Sequence, residues 1–558
     1  DWSFNMKNKF LQTIVIFIFA FSFLSAQKKS DVPKMLYWIG GKFNLQLNGG
    51  INSSVGIGSG NGVFGGMVSP NLNYGSTSIF SNPAELAYLK KSNIFFETKL
   101  GVGTSSLLSQ PDMTKQTTNI LKDTATFVFT EGNYRKDTEI GNQEIAQTGG
   151  LTALTGAIPF EDYFVLCGGF STPVDFSLDL LINGLSTDLS SSKIVAENET
   201  KIDIILKPTI LAITKLKVNR VSYGLAKEVM NNANGQVAVG FTINRYDIRN
   251  LINLDLDFQG MVVLNNLNEY YFNDPNDPSI DPAKNESNNL FFRAKGNYKD
   301  TRVGFTLGAN YNPANKNDWL SRFNFSLVYN YNPNFVLSDN SALMESYQPR
   351  FMVGRFGGKL DDKFDVAIDS MNLSKPNLTK PTHNYFATEV SIKMPSSLTL
   401  GVDAKFGEHN VSLNILKYFN ELSYQFDKYK IGKNMSVGIR AGADFKFPEE
   451  LKGWSWALLP IRLLYLDLDG LIMQLLKNYT LYENPHYRFY GGMNLGNAVV
   501  EGFENKDTEK SLKDMMGLPI PAEFGLARQY TIMKNINVGV LVFGFPDMFF
   551  RFSFGYNI

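Results

Sequence analysis

From about residue 93 onward the chain repeatedly alternates apolar and polar residues over roughly ten positions, the length a tilted strand needs to cross a bilayer. In the stretch from Met435 to Phe447, Val437, Ile439, Ala441, Ala443, Phe445 and Phe447 share one face. Ser436, Gly438, Arg440, Gly442, Asp444 and Lys446 share the other. Ile252, Leu254, Leu256 and Phe258 oppose Asn253, Asp255, Asp257 and Gln259 in the same way. Val303, Phe305, Leu307, Ala309 and Tyr311 oppose Arg302, Gly304, Thr306, Gly308 and Asn310. Further runs are Phe323-Phe325-Leu327-Tyr329-Tyr331, Leu400-Val402-Ala404-Phe406 and Val411-Leu413-Ile415, the last just after the turn-like Gly407-Glu408-His409-Asn410. Period-2 patterning of this kind predicts strands with one apolar face.

A soluble sandwich also alternates, because one face packs on a core and the other meets water. Two features of these runs favour a membrane. Their apolar faces are long and aromatic-rich, whereas sandwich strands average five or six residues. Their polar faces mix Gly, Asn, Ser and both charge signs, as a solvated lumen would. The carboxyl-terminal stretch adds a third: Phe550, Phe552, Phe554, Tyr556 and Ile558 lie on one face of a terminal strand. In a soluble protein such a strand is an aggregation hazard; in a closed barrel it pairs with the first strand and leaves no edge. It resembles the carboxyl-terminal targeting strand of outer-membrane barrels, although those end in an aromatic residue and this one in Ile558. The expectation is an all-β, transmembrane antiparallel β-barrel of about fourteen strands, bacterial barrels taking even numbers.

One segment resists the pattern. Between Trp454 and Leu476, Trp454, Trp456, Leu458, Leu459, Leu463 and Leu466 fit an amphipathic helix, while Leu464, Leu466 and Leu468 alternate with Tyr465, Asp467 and Asp469 as a strand would. Pro460 and Gly470 interrupt a continuous helix, and both readings stay open.

Composition changes this picture little. Hydrophobic residues make up 44% of the 558, ordinary for a soluble protein but also for a barrel that shows lipid only every second residue. Aromatics reach 13%, which interfacial girdles and an AT-rich coding bias explain equally well. Formal net charge is +0, so nothing points to nucleic acid as a partner. The one cysteine, Cys167, permits no internal disulfide and reads as a small buried or lipid-facing residue.

The amino-terminal region reads as an export signal. Lys7 and Lys9 precede a short apolar run through Phe23, and Ser25-Ala26 supply small residues ahead of Gln27. Residues 1–26 are therefore set aside as upstream residues and signal peptide, 27–92 as a periplasmic or luminal segment, and 93–558 as the barrel. Within the second unit Gly60, Gly62 and Gly65 match the spacing of dinucleotide-binding turns, without the flanking strand and helix that such a turn requires.

The same unit carries Tyr74-Gly75-Ser76-Thr77-Ser78-Ile79-Phe80-Ser81-Asn82-Pro83-Ala84-Glu85-Leu86-Ala87. By itself Asn82-Pro83 is a helix cap followed by proline at the first helical position. The stretch resembles the FadL family of outer-membrane transporters for long-chain fatty acids and other hydrophobic compounds. There a small-residue segment leads into an Asn-Pro-Ala motif before the first strand; here the motif is Asn82, Pro83 and Ala84. The resemblance implies a hatch folded inside a fourteen-stranded barrel, placed in the bacterial outer membrane. It also implies a hydrophobic small-molecule ligand, with outer-membrane lipid and the barrel-assembly machinery as partners. The type IX secretion component PorV shares this layout, so a non-transporting partner of secretion-system subunits is the alternative role.

No catalytic constellation stands out. His383, His409 and His486 are far apart, no Gly-x-Ser-x-Gly elbow precedes a helix, and Asp255 and Asp257 read as lumen salt-bridge partners rather than paired acids. Residues 273–278, Asn-Asp-Pro-Asn-Asp-Pro, read as polar turns before a calcium loop. The expectation is no enzyme, no cofactor and no metal, with the ligand-binding residues unassigned.

Overall fold

The computed structural model describes residues 36–40, 44–53, 75–100, 150–161, 163–183, 186–195, 198–264, 268–272, 291–314, 319–339, 342–347, 351–353, 366–368, 382–385, 389–426, 429–447, 459–468, 486–502, 506, 509–510, 513, 523–532, 535–545 and 550–558. Among them, fourteen strands form the wall of a barrel. They are β1 (Asn93–Leu100), β2 (Gly150–Phe160), β3 (Phe164–Asn183), β4 (Asn198–Asn232), β5 (Gly235–Leu264), β6 (Phe291–Pro313) and β7 (Phe323–Tyr331). The second half comprises β8 (Ser396–Phe406), β9 (His409–Phe419), β10 (Tyr429–Lys446), β11 (His486–Glu501), β12 (Glu523–Ile532), β13 (Ile536–Phe545) and β14 (Phe550–Asn557). Each pairs antiparallel with its neighbour. β14 pairs back on β1, Asn557 opposite Asn93 and Phe550 opposite Leu100, which closes the ring.

Closure is the answer to the backbone problem: every amide of a strand in hydrocarbon needs a partner, and only a ring supplies one on both sides. The closing seam also carries a charged lock on its inner face. Arg551 Nη1 donates to Glu97 Oε1 at 3.1 Å, Thr152 Oγ1 donates to the same oxygen at 2.9 Å, and both charged residues are buried.

Outward-facing side chains show what surrounds the wall. Val239, Phe241 and Ile243 on β5, Val303 and Leu307 on β6, Leu400 on β8, Val411, Leu413 and Ile415 on β9, and Phe552, Phe554 and Tyr556 on β14 are all exposed. A continuous belt of exposed large apolar side chains is the surface of a barrel in lipid. The connections 161–163, 233–234, 407–408 and 533–535 are short and lie at one end with the start of β1 and the end of β14, the turn end. Most connections at the opposite, loop end are longer, as on the outer side of transmembrane barrels.

Above the belt, β3–β6 continue well past the length a bilayer needs, and their polarity inverts. On β5 the outward positions after Ile243 are Arg245, Asp247 and Arg249, whereas inward Tyr246 and Ile248 are buried. Ile252 also points inward, so the face it shares with Leu254 and Leu256 lies toward the lumen rather than lipid and Asp255 lies on the outer face, the reverse of the expected assignment. The strand leaves the membrane at that point, so water now lies outside and the apolar face turns inward. Two further strands, Leu36–Gly40 and Asn44–Ser53, pair with Ser186–Ser190 and with the upper half of β3. Within 27–92, expected as one periplasmic or luminal segment, these two strands join the wall.

The wall is interrupted above β7, β8 and β9. The register of β7 with β8 continues into Asn334–Ser338 with Glu389–Lys393, which places Asn332 opposite Pro395. Pro333 and Pro395 have no N–H to give the ladder. Side chains take over: Asn332 N donates to Ser396 Oγ at 3.1 Å, Asn332 Nδ2 to Pro395 O at 3.0 Å, and Val336 N to Asp300 Oδ2 at 3.0 Å.

Removing one partner of the seam lock strands the other charge in a buried site. Arg551→Met is expected to destabilise the refolded barrel by about 3–5 kcal/mol, with much of the loss recovered in the Arg551→Met/Glu97→Gln double variant. Urea titration followed by the folded-band gel shift measures both.

Candidate functional site

Residues 75–92 sit inside the turn end of the barrel. Ser76–Phe80 and Pro83–Tyr88 are two short 3-10 turns, and Ser76, Thr77, Ser78, Ile79, Asn82, Ala84, Glu85 and Leu86 are buried. Asn82 caps the second turn: its Oδ1 accepts from Ala84 N at 3.1 Å, and Pro83 occupies the first helical position, where a missing N–H costs nothing. The Asn82 Nδ2 donates to Asn310 Oδ1 on β6 at 2.5 Å, so the capping side chain also ties the turn to the wall. Asn82, Pro83 and Ala84 are thus brought together against β5 and β6.

The seat is made of missing side chains. A Cβ on Gly240 would lie 2.3 Å from the Pro83 carbonyl carbon, and one on Gly308, directly opposite Gly240, would lie 2.2 Å from Asn82 Oδ1. A Cβ on Gly224 of β4 would meet Ile79, and one on Gly169 of β3 would meet Phe80. Glycines on neighbouring strands therefore let the segment's backbone approach the wall more closely than any other residue allows.

A polar chain joins this seat to the barrel's seam. Asn93 Oδ1 on β1 accepts from Ser76 N at 2.7 Å and from Ser76 Oγ at 2.6 Å, while Asn93 Nδ2 donates to Asn557 Oδ1 on β14 at 2.8 Å. Of the terminal-strand residues, Phe552, Phe554, Tyr556 and Ile558 are exposed on the outer face, and Phe550 opens β14 opposite Leu100.

Glu85 is the one carboxyl carried inward by the inserted segment. Burial and the nearby Asp403 carboxylate of β8 hold its pKa well above the ordinary 4.5, the Ser78 hydroxyl offsetting part of this. The folded state accordingly favours neutral Glu85.

Above the segment the lumen changes character twice. A polar belt comes first: Ser222 Oγ donates to Asn244 Oδ1 at 2.6 Å, Asn244 Nδ2 to Thr306 Oγ1 at 3.1 Å, and Thr306 Oγ1 to Asn330 Oδ1 at 2.7 Å, linking β4 to β7. Arg220 lies at the same height, buried, with its Nε on Ser171 Oγ at 3.1 Å and its guanidinium 4.5 Å from the centre of the Phe80 ring. Beyond it apolar side chains dominate the inward positions, with Asn250 and the Asp300–Arg302 pair among them. Val218, Tyr246, Ile248 and Tyr298 from the wall meet Phe335, Leu337, Val390 and Ile392 from the strands above the interruption, with Tyr424 and Phe426 alongside. Tyr246 packs edge-on against Phe335 at 5.9 Å and Tyr298 against Phe426 at 6.2 Å.

Asn250 lies among these apolar groups, fully buried. Its Nδ2 donates to Tyr424 Oη at 2.8 Å, and its Oδ1 has no donor among the described residues. Such an orphan acceptor in an apolar chamber is a place for a ligand hydroxyl or a water. Neither Arg220 nor Asn250 was found from the sequence, because no spacing marks a lone polar residue as inward or outward until the strand's phase is known.

Cys167 is buried with its Sγ on Ser76 O at 3.5 Å, packed against the inserted segment rather than facing lipid. His486 sits 2.7 Å from Asp444 and His409 in the β8–β9 hairpin. No group of His, Cys, Asp or Glu among the described residues is arranged to hold a metal ion. Residues 273–278, and with them the polar-turn or calcium reading, lie outside the described residues, as do residues 1–26 and the glycines at 60–65.

The solved proteins to which this chain is similar include a FadL homologue and two toluene transporters. A FadL homologue from Pseudomonas aeruginosa matches at 12% identity and TM-score 0.39, covering 91% of this chain and 98% of that one. The toluene transporter TbuX of Ralstonia pickettii matches at 11% and 0.33, covering 87% and 93%, and the toluene transporter TodX of Pseudomonas putida at 10% and 0.34, covering 90% and 95%. No protein-family model and no curated relative matches the chain. At these levels nothing about ligand or role passes from those proteins to this one.

Two measurements address the seat. Gly240→Val is expected to displace the Asn82–Ala84 turn while leaving the ring closed, seen as protease access to residues 75–92 in a barrel that still shows its folded gel shift. For Glu85 the sign follows from its raised folded pKa: docking is strongest below about 4.5 and weakens as pH rises toward the folded value. Hydrogen exchange across 75–92 therefore speeds up at alkaline pH beyond the intrinsic rate, and Glu85→Gln removes that excess.

Proposed function

We propose that this barrel sits in the bacterial outer membrane and takes up hydrophobic small molecules with an anionic or polar head, long-chain fatty acids among them. Passage is passive, through a lumen that residues 75–92 plug as a hatch. One observation supports this above the others: the loop end of the barrel holds a buried cluster of apolar side chains, where a water-filled pore would be polar. An apolar solute leaving a polar outer surface layer gains from such a cluster, because its surface is removed from water.

The chamber also offers an order of binding. Its apolar walls suit a hydrocarbon tail, Asn250 Oδ1 supplies an acceptor partway down, and Arg220 at its floor supplies a fixed cation at the boundary with the hatch. Arginine is suited to a carboxylate because its planar fork presents paired donors. Release toward the periplasm requires the hatch to shift, and its bonds are individually modest: Asn82 to Asn310, Ser76 to Asn93 and Thr155, and close van der Waals contact with the wall glycines. The targeting role of Phe550, Phe552, Phe554, Tyr556 and Ile558, read by the assembly machinery, belongs to the same proposal.

The test compares a long-chain fatty acid with its methyl ester, using purified barrel in detergent. Arg220→Gln is expected to weaken the acid by about tenfold to a hundredfold, the worth of a hydrogen bond to a charged group, and to leave the ester nearly unchanged. Phe335→Asp is expected to weaken both. A wild-type barrel that binds neither, and co-purifies stoichiometrically with a secretion subunit, would belong to the non-transporting reading instead.

A further inference from the structure

The turn end carries one long connection, residues 447–485, between β10 and β11. Within it Leu459–Leu464 forms a short helix, α1, with Pro460 in its first turn, where proline is tolerated. The chain then turns sharply. Leu466 adopts a left-handed φ of 51°, Leu466 N donates to Leu463 O at 2.9 Å, and Asp467 N returns to Arg462 O at 3.1 Å. The helix and strand readings of this segment each capture part of it: α1 is helical, and beyond it the alternation of buried Tyr465 and Asp467 with exposed Leu464, Leu466 and Leu468 holds without any strand.

Strand parity says where this element sits. On β10, Phe445 shares a face with Ile439, which is 38% exposed; on β11, Tyr487 shares a face with Met493 and Leu495, at 46% and 42%. That is the outer, lipid-facing side, since the opposite parity carries the lumen pair of Asp444 and Arg488. Yet Tyr487, directly opposite Phe445 and opposite Arg528 of β12, is 0% exposed. The element covers it. Asp467 Oδ2 accepts from Tyr487 Oη at 2.5 Å and from Arg462 Nε at 2.6 Å, and its Oδ1 accepts from Arg528 Nη1 at 3.1 Å. Phe447 and Tyr465 complete the packing, and Tyr465 Oη donates to Arg488 O at 3.0 Å.

We propose that Ile461–Leu468 is a membrane-embedded clamp on the outside of the wall, whose leucines contact the acyl chains of the turn-side leaflet. Two observations choose lipid as the occupant. Leu464 and Leu468 are 66% and 60% exposed, with Ile461, Leu463 and Leu466 beside them, and this face continues the belt of Ile439, Met493 and Leu495 around the same strands. Beneath it, Arg528 occupies a wall position that would otherwise put a bare guanidinium toward hydrocarbon, a costly arrangement. On the inner side Asp467 pairs with Arg528, Arg462 and Tyr487, and the leucine face presents a surface no different from the rest of the belt. The clamp thus lets the wall keep a charge on its lipid side.

The experiment uses the full barrel in phospholipid vesicles. In a Cys167→Ala background, single cysteines replace Leu463, Leu464 or Leu468 and carry an environment-sensitive NBD label. Cysteine at Ile439 serves as the lipid-facing reference and at Ala233, in an exposed turn, as the water reference. The expected result is blue-shifted emission at the clamp positions, quenched by doxyl groups on lipid tails to an extent comparable with position 439. Water-like emission at all three positions, in barrels that keep the folded gel shift, would overturn the proposal. So would blue-shifted emission that tail-borne doxyl fails to quench, because the leucines would then be covered by protein such as a second copy. Neither readout depends on what the lumen carries.

Discussion

Hydrogen bonding of the backbone in a solvent that offers no partners is the constraint from which this molecule follows. A strand crossing hydrocarbon must be flanked on both sides, so the sheet closes, Phe550–Asn557 of β14 onto β1. Where the ladder fails, at Pro333 and Pro395, the structure places Asn332, Ser396 and Asp300 to take over the lost bonds. The interruption falls above β7–β9, beside the apolar chamber, at a level where side chains rather than solvent do the repair.

Closure fixes an inside and an outside, and each is then shaped by what fills it. Inside the turn end, glycine opposite glycine on β5 and β6 leaves room for the backbone of Pro83 and Ala84, and Asn82 serves at once as helix cap and as the tether to Asn310. The inserted segment, the first strand and the last strand share one polar chain through Asn93, so seating the segment and sealing the barrel are coupled by geometry. Outside the turn end, the clamp shows the opposite solution: a charged cluster is kept on the wall's lipid side by covering it with leucine.

The polarity inversion along β5 links fold to function. Below Ile243 the outward residues are apolar and the inward ones are polar or small; above it Arg245, Asp247 and Arg249 face water while Tyr246, Ile248 and Ile252 face inward. A barrel wall that outlasts the bilayer by this margin encloses a buried apolar cluster outside the membrane plane. That cluster is built in part from the same strands that span the membrane.

The alternation of Val303 to Tyr311, Leu400 to Phe406, Val411 to Ile415 and Phe550 to Ile558 marks strands with one apolar face from the sequence alone, and the length and aromatic content of those faces point to a barrel in lipid rather than a soluble sandwich. The Asn82-Pro83-Ala84 turn was legible for the same local reason, a cap and a proline. What only tertiary structure decided was the side to which each face belongs and what lies across the lumen. Ile252 and Leu254 carry the pattern of a lipid face, yet phase counted from Ile243 puts them inside. Arg220, Asn250 and the glycine seat acquire meaning only when strands distant in sequence bring Phe80, Tyr424 and Pro83 against them. Leu464 to Leu468 could not be assigned from its periodicity, because the partners that hold Tyr465 and Asp467 down, Tyr487 and Arg528, come from other strands.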